Sequence, residues 1–219
     1  MIRMAIVGLF IAVVGVFAVA GDAIRAPVAQ DTIYQRALDA SVKITFSRGY
    51  GSGVVISDAG VIVTNAHVCG TDNEFTVVTV DGVSVKARLL WKSAAPFDLC
   101  LIEAEEGDWN AVKIRTSPAV PGEAAFAVGN PMGTWFSITW GHVVGLRQPR
   151  HQQIPSYQID LEIGPGSSGG GLFDMQGRLI GITNSGINTI ACSPYGCVRI
   201  PLGFNYALPN TALLKLLVR

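Results

Sequence analysis

Most of this 219-residue chain reads as a succession of short β-strands, and this pattern constrains the fold more than any other feature. Twelve segments are rich in Val, Ile, Thr and aromatic residues, and most are bounded by Gly, Asp, Asn or Pro, as strands between tight turns are. They span 42–47, 51–57, 60–64, 74–80, 83–91, 98–103, 123–129, 135–146, 156–163, 170–174, 177–184 and 203–208. Many short strands with frequent turns predict an all-β barrel or sandwich.

Two helices are predicted at the edges of this β-rich region. Ile33, Ala37 and Leu38 recur at helical intervals within 31–41, which predicts a short helix after a linker. The segment 209–219 is rich in leucine and free of glycine after its opening Pro-Asn, which predicts a C-terminal helix.

The N-terminus has the pattern of an export signal. A single positive charge, Arg3, precedes an uncharged apolar run from Ala5 to Ala20 that ends in the small-x-small sequence Ala-Val-Ala. Such a pattern is typical of a secretory signal peptide. The alternative is an uncleaved membrane anchor, although a spanning helix usually needs about 20 apolar residues. We therefore predict a signal peptide, or N-terminal anchor, over 1–20, and a linker with the short helix over 21–41. A periplasmic or secreted location follows, with a membrane-anchored protein as the second choice.

Composition excludes several classes of protein. Sixteen Lys and Arg balance sixteen Asp and Glu, so the chain lacks the basic footprint of a nucleic-acid-binding protein. Hydrophobic residues make up 49% of the chain, which is incompatible with intrinsic disorder.

Four cysteines become relevant if the chain is exported, because exported proteins can hold disulfides. Cys192 and Cys197 flank a turn-rich tetrapeptide, a spacing that suits a small disulfide-closed loop. Metal binding is the alternative, but no histidine lies nearby in the sequence to complete a four-ligand site. Cys69 and Cys100 would then pair with each other or stay free.

Three segments carry residues suited to nucleophilic catalysis. His67 follows an apolar strand, Asp98 opens another, and Ser168 lies in the glycine-dense sequence GPGSSGGG. A serine needs a base to take its proton, and the base needs a group that orients it. Glycines around a serine allow backbone N–H groups to converge on one point, where they can stabilise an oxyanion. The order His, Asp, Ser along the chain is that of the chymotrypsin architecture.

With these residues, the chain resembles a chymotrypsin-fold serine protease of the Deg/HtrA type. The resemblance rests on Gly51-Ser52-Gly53, Thr64-Asn65-Ala66-His67-Val68, Asp98-Leu99, Gly129-Asn130-Pro131-x-Gly133, Thr139-x-Gly141, Asp160, Pro165-Gly166-x-Ser168-Gly169-Gly170, Gly203-Phe204 and Ala207-Leu208-Pro209. It implies two perpendicular six-stranded β-barrels with a C-terminal helix, and a trypsin-like protease domain over 42–219 without a PDZ domain. Ser167 departs from the family pattern, which usually has Asn there.

The resemblance also implies roles for individual residues. His67 would be the general base, Asp98 its orienting group and Ser168 the nucleophile, with the backbone N–H groups of Gly166 and Ser168 as the oxyanion hole. Residues that would bind the substrate are Glu162, Ile163, Asn184, Ser185 and Gly186. If His67 and Asp98 meet, their neighbours Cys69 and Cys100 come close as well, and a disulfide there would clamp the base to its orienting group.

The expected function is that of an exported serine endopeptidase that cleaves extended or unfolded proteins and needs no metal or organic cofactor. The resemblance suggests small aliphatic residues before the cleaved bond, while Glu162 raises a basic residue as a second option. The alternative is a catalytically latent or inactive protein of the same fold that binds substrates in a chaperone-like way. Partners would be protein or peptide substrates and not nucleic acid. Membrane anchoring would require that 1–20 be retained, and the oligomeric state stays open.

Overall fold

The strands of this protein close into two barrels of six strands each. The computed structural model describes residues 33–94, 96–133, 135–149, 154–193 and 196–217, with the backbone alone for 185–193, 196 and 198–202. The signal peptide predicted over 1–20 and the linker before Ile33 lie outside the described residues. Within these residues, three short α-helices accompany the strands: α1 (Ile33–Asp39), α2 (Ala66–Cys69) and α3 (Asn210–Leu217).

The first barrel contains β1 to β6 in the order β1-β2-β3-β6-β5-β4, and β4 pairs with β1 to close it. Its strands are β1 (Ser41–Phe46), β2 (Gly49–Val55), β3 (Val61–Thr64), β4 (Glu74–Val78), β5 (Ser84–Lys92) and β6 (Cys100–Ala104). Alternate side chains of these strands point into a buried core that includes Val42, Ile44, Ile62, Val77 and Ile102.

The second barrel repeats this closure with β7 to β12, in the order β10-β11-β12-β9-β8-β7. Its strands are β7 (Ala124–Gly129), β8 (Ser137–Arg147), β9 (Ser156–Ile159), β10 (Gly171–Asp174), β11 (Leu179–Ser193) and β12 (Gly196–Pro209). Closure pairs the strands around each barrel, so each barrel is a self-contained unit that can present loops at its ends. The expectation of two six-stranded barrels with a C-terminal helix is confirmed.

Besides the core inside each barrel, a separate core cluster contains residues of both barrels and so joins them. It includes Val54, Val63 and Leu99 of the first barrel, with Phe126 and Phe173 of the second. The two phenylalanine rings are stacked with their centroids 5.3 Å apart. Because this cluster is buried, the two barrels pack against each other through apolar side chains. This packing fixes the positions of residues at the edge of the contact relative to one another.

Two features differ from the sequence-based expectation. The strands predicted over 177–184 and 203–208 are parts of the longer β11 and β12, which continue as a ribbon to Ser193 and from Gly196. Irregularities in the register occur after Thr183 and after Gly186. The polar and glycine residues there resemble strand ends in the sequence, but they bend a continuous ribbon. In addition, α2 is a single turn that is too short to produce a periodic pattern.

The described helices are short, with seven residues in α1, four in α2 and eight in α3. No described helix has the length and apolar character that crossing a membrane requires. In α3, Leu213 is buried and Asn210 donates its side-chain amide to the carbonyl of Ser117 at 2.9 Å. This bond ties the C-terminal helix to the segment that connects the two barrels.

Candidate active site

His67 and Asp98 meet at one end of the first barrel. His67 lies in α2, directly after β3, and Asp98 lies two residues before β6, which pairs with β3. The side-chain amide of Asn65 donates to the Asp98 carbonyl at 3.0 Å and so fixes the two segments to each other. The sheet register therefore brings together residues that are 31 positions apart in the sequence.

The contact between the two side chains is bidentate. The Asp98 Oδ2 lies 2.7 Å from the His67 Nδ1, and Oδ1 accepts the backbone N–H of His67 at 2.9 Å. Because an ionised carboxylate can only accept, Nδ1 carries a proton, and in the neutral ring Nε2 is left as an acceptor. The ring is thus held in the tautomer that a general base requires.

The electrostatics of the pair keep Asp98 ionised. Burial by itself would raise the pKa of the Asp98 carboxyl, but hydrogen bonds from the His67 ring and from the backbone N–H groups of His67 and Ala66, together with the charge of an imidazolium, outweigh burial and hold the pKa below its ordinary value. The side chain of Asp98 is 25% exposed, whereas that of His67 is 49% exposed and open to a substrate.

Ser168 belongs to the second barrel but is bound to the first. It lies three residues before β10, and its carbonyl accepts the backbone N–H of Ser52, in β2, at 2.8 Å. Its hydroxyl donates to the carbonyl of Asn184 at 2.8 Å. Within the described residues, no hydrogen bond joins this hydroxyl to His67. A serine side chain has three staggered rotamers, so a χ1 rotation is the motion that redirects Oγ.

The backbone around Ser168 can exist only with glycine at two positions. Gly169 has a φ of +88°, and a Cβ there would lie 2.1 Å from the Thr64 hydroxyl. Gly166 has a φ of +94°, and a Cβ there would lie 2.6 Å from the carbonyl oxygen of Asn130. Both positions combine a left-handed backbone with no room for a side chain, which explains the glycine density of this segment.

Residues 164–167 form a tight turn that leaves two N–H groups unused. The Ser167 N–H donates to the Gly164 carbonyl at 3.0 Å, which, with Pro165 and the positive φ of Gly166 at the centre, is the pattern of a type II turn. In the described part of the chain, neither the Gly166 nor the Ser168 N–H donates to a protein acceptor. Two free donors beside a serine are the geometric requirement for binding an oxyanion.

The residues predicted to bind substrate fall into two groups. Glu162 and Ile163 line a pocket of about 320 Å³, together with Gly164, Ser167 and Thr183 among others. Asn184, Ser185 and Gly186 lie in β11, where Ser185 and Gly186 pair with β12 on one side. On the other side, β10 pairs with β11 no further than Ile182, and no described strand continues that pairing. Within the described residues, this side of 185–186 therefore has no strand partner, while the Asn184 carbonyl accepts the Ser168 hydroxyl.

A disulfide supports the His67–Asp98 pair from behind. Cys69, in α2, is bonded to Cys100, the first residue of β6, and both side chains are fully buried. Each cysteine lies two residues beyond one member of the pair. Cys197 is also disulfide-bonded, and the β11–β12 register places Cys192 opposite it.

Other charged residues lie apart from this site. The Asp160 carboxylate accepts the backbone N–H of His142, and its Oδ2 lies 3.4 Å from the His142 Nδ1. These two residues of the second barrel therefore contact each other. Within the described residues, no group of three or more His, Cys, Asp or Glu side chains could hold a metal ion.

Sequence reasoning assigned no role to three residues that hold the serine loop. Ser52, Asn130 and Tyr50 all contact the turn at Gly166. The side-chain amide of Asn130 is fully buried, and neither of its polar atoms has a described partner. Ser52 and Asn130 share one sequence feature, a polar residue beside glycine in GSG and GNP, which by itself does not indicate contact with the serine loop.

Two closed six-stranded barrels, with a His–Asp pair from one and a glycine-flanked serine from the other at their contact, define the chymotrypsin class of fold. The sequence profile described as the trypsin-like peptidase domain matches residues 51–182. The chain belongs to this family.

Relatives and solved structures agree with this membership. The chain is 36% identical over 141 residues to a probable periplasmic serine endoprotease, DegP-like, of Pseudomonas fulva, and 35% identical over 140 residues to that of Halomonas elongata. Each alignment covers 63% of this chain and 29% of the relative, so the chain spans less than a third of the length of these relatives.

Among solved structures, the chain is similar to the serine endoprotease of Yersinia pestis, with a TM-score of 0.71 and 25% identity over 89% of this chain and 67% of that one. It is also similar to the HtrA-type protease AlgW with a tripeptide, with a TM-score of 0.72 and 27% identity over 85% of this chain and 61% of that one.

Proposed function

We propose that this protein is a serine endopeptidase that cleaves extended or unfolded polypeptides through an acyl-enzyme at Ser168. The observation that carries the proposal is the contact of the His67 Nδ1 with Asp98 at 2.7 Å, beside a serine loop with two free N–H donors. Membership of the trypsin-like peptidase family and the name serine endoprotease given to its relatives support the same chemistry.

The first half of the reaction forms the acyl-enzyme. The Ser168 hydroxyl turns from the Asn184 carbonyl to the His67 Nε2 and gives it the Oγ proton as Oγ attacks the substrate carbonyl carbon. The resulting oxyanion accepts from the N–H groups of Gly166 and Ser168. Asp98 stabilises the imidazolium, which then protonates the leaving amine as the C–N bond breaks. Removal of one oxyanion donor typically costs about 3–4 kcal/mol of transition-state stabilisation.

The second half restores the enzyme by hydrolysis. A water molecule gives a proton to the His67 Nε2 as it attacks the acyl carbon, and the same oxyanion donors act again. The imidazolium then returns the proton to the Ser168 Oγ as the C–O bond breaks. All proton transfers in this cycle use side chains of the protein and the two substrates, peptide and water.

The side of 185–186 that has no strand partner among the described residues supports an extended substrate. A polypeptide in β conformation can add to an unpaired strand through main-chain hydrogen bonds, which recognise shape and not sequence. The residue before the cleaved bond would face the pocket lined by Glu162 and Ile163. Folded proteins rarely expose such segments, so unfolded chains are the expected substrates.

Export of the chain is part of the proposal. The relatives are named periplasmic, and the apolar run that ends at Ala20 supports removal of 1–20 during secretion. The N-terminal sequence of the protein recovered from the producing cell tests this point, because it should begin at Gly21. A protein that retains Met1 in the membrane fraction would contradict it.

Turnover of an unfolded protein tests the proposed activity. We expect the wild type to degrade a reduced, carboxymethylated substrate and Ser168→Ala to lose at least about 10⁴-fold in kcat. Both proteins should have the same circular dichroism spectrum. If the wild type binds the substrate without cleaving it, and Ser168→Ala binds it equally, the chain is a substrate-binding protein and the proposal is wrong.

A further inference from the structure

The hydroxyl of Ser52 connects the two barrels at the serine loop. Ser52 lies in β2 and is 1% exposed. Its Oγ donates to the carbonyl of Gly166 at 2.8 Å and accepts the backbone N–H of Asn130 at 2.8 Å. Both partners belong to the second barrel, so a side chain of the first barrel holds two loops of the second. This uses the single donor and one acceptor position of a serine hydroxyl.

The backbone of Ser52 holds the same segment at its other end. Its N–H donates to the Ser168 carbonyl at 2.8 Å, while its hydroxyl binds the Gly166 carbonyl. One residue therefore anchors both ends of 166–168, the segment that contains the two free N–H donors. A peptide unit is planar and trans, so these two carbonyls fix the N–H groups of Ser167 and Gly169, the residues that flank Ser168.

A second anchor acts on the peptide that precedes Gly166. The Pro165 carbonyl accepts the N–H of Met132 at 2.6 Å. Met132 lies two residues after Asn130, and the Asn130 N–H donates to the Ser52 hydroxyl. Thus the Ser52 hydroxyl acts on the turn directly, through Gly166, and indirectly, through the loop that fixes the Pro165 carbonyl and with it the direction of the Gly166 N–H.

An aromatic side chain from the same strand covers this arrangement. A Cβ at Gly166 would lie 2.5 Å from the Tyr50 ring, and a Cβ at Gly133 would lie 3.0 Å from it. Lys43 donates to the Gly133 carbonyl at 3.1 Å and lies 5.6 Å from the centre of the Tyr50 ring. The Tyr50 ring thus packs against Gly166 and Gly133 beside the Ser52 hydrogen bonds, of which the bond to Asn130 is buried.

We infer that Ser52 is a positioning residue for the oxyanion hole, with its hydroxyl holding in place the turn that carries the Gly166 and Ser168 N–H groups. This inference rests on the proposed function for its catalytic consequence, but not for its structural one. Because oxyanion stabilisation depends on donors that are fixed before the reaction, loss of the hydroxyl should lower kcat and leave substrate binding along β11 intact.

Ser52→Ala and Ser41→Ala form a matched pair for the test. Ser41, in β1, is also 1% exposed, and its hydroxyl donates to the Ala37 carbonyl at 2.7 Å, outside the serine loop. Both variants lose one buried hydroxyl and leave one carbonyl without its partner, and Ser52→Ala also leaves the Asn130 N–H without one. A purely structural role would lower the stability of both variants and the kcat of neither, whereas a positioning role lowers the kcat of Ser52→Ala alone. Ser52→Cys keeps the size of the side chain with weaker hydrogen bonding and should be intermediate.

Steady-state kinetics with a peptide ester give the first readout. We expect Ser52→Ala to lose about 10- to 100-fold in kcat with KM changed less than threefold. Ser41→Ala should keep kcat within twofold of the wild type. A fall in kcat that is equal in the two variants, or a Ser52→Ala variant as fast as the wild type, would overturn the inference. An inactive wild type would refute the proposed function and not this inference.

Amide hydrogen exchange gives a readout that needs no turnover. The Ser167 N–H, bound to Gly164, exchanges when the turn opens. Loss of the Ser52 hydrogen bond should speed its exchange by about tenfold, while Ser41→Ala should leave it unchanged. An unchanged exchange rate in Ser52→Ala would show that the hydroxyl does not hold the turn and would overturn the inference whatever the activity.

Discussion

Replacement of both Cys69 and Cys100 by alanine should lower the free energy of unfolding, chiefly because the unfolded chain loses a cross-link. The disulfide spans 31 positions of the sequence. The chain-entropy relation for a closed loop of that length gives about 3.7 kcal/mol at 25 °C, because the unfolded chain recovers the freedom that the cross-link removes. For a domain of this size, that loss lowers Tm by about 7–15 °C. Loss of two buried sulfur atoms from the core adds to the effect.

The double variant is a sharper perturbation than a reductant. Cys197 is disulfide-bonded as well, so a reductant would act on more than the Cys69–Cys100 bond. Thermal and urea unfolding, followed by near-ultraviolet circular dichroism, should give the free energies for the oxidised wild type and for the double variant. A difference below 1 kcal/mol would refute the entropic reasoning. As a separate control, thiol titration of the denatured, non-reduced wild type should find no free thiol.

The double cysteine variant also tests whether the disulfide aligns the His67 ring with Asp98, apart from its effect on stability. At a temperature where both proteins are fully folded, kcat reports whether α2 still presents the His67 ring to Asp98. We expect kcat to fall and KM to stay constant, because the cross-link joins the two segments that carry the pair and contacts no part of the free edge of β11. An unchanged kcat would mean that the hydrogen bonds of Asp98 fix the ring without the disulfide.

Three further predictions follow from the site and its surroundings. Asp98→Asn should keep the fold but lower kcat by about 10⁴-fold, because an amide that donates to Nδ1 favours the wrong tautomer; a smaller loss in steady-state assays would contradict the pairing. Glu162→Gln should remove any preference for a basic residue before the cleaved bond in a peptide library, and an unchanged profile would exclude Glu162 from specificity. Asp174 is 1% exposed; burial would raise the pKa of its carboxyl, but hydrogen bonds from Arg178 outweigh burial and lower it. A folded pKa below the unfolded one contributes stability that is present above about pH 4 and is lost as the pH falls below that. Asp174→Asn should therefore be less stable than the wild type by about 1–3 kcal/mol at pH 7, and urea titrations should converge in acid; a constant difference down to pH 2 would contradict this.

The sequence predicted the barrels well because strand signals here are local. Each of the twelve strands overlaps a predicted segment, since β-branched residues and turn residues alternate clearly along the chain. The error at β11 and β12 has a physical cause. The predicted strand ends at Asn184 because serine and glycine follow it, yet in the barrel Ser185 and Gly186 both pair with β12, which holds them extended. Tertiary pairing, which no local pattern contains, decides that segment.

The residues of the site also differ in how far the sequence alone indicates them. His67, Asp98 and Ser168 were picked out because each lies in a motif with a chemical logic of its own. Ser52 carries no such logic in the sequence, because its significance comes from Gly166, which is 114 positions away and lies in the other barrel. The direction of the Ser168 hydroxyl, bound to the Asn184 carbonyl, is likewise a property of the assembled barrels. A sequence can indicate which groups react, whereas their mutual geometry depends on packing.

If Ser168 is a nucleophile activated by His67, it should react covalently with a fluorophosphonate. The reagent forms a P–O bond with an activated serine and releases fluoride, so the intact mass rises by that of the reagent less HF. We predict one adduct on the wild-type protein at mildly alkaline pH, on the peptide that contains Ser168, and none on Ser168→Ala or His67→Ala. A folded wild type that stays unlabelled, or an adduct that persists in Ser168→Ala, would contradict the account.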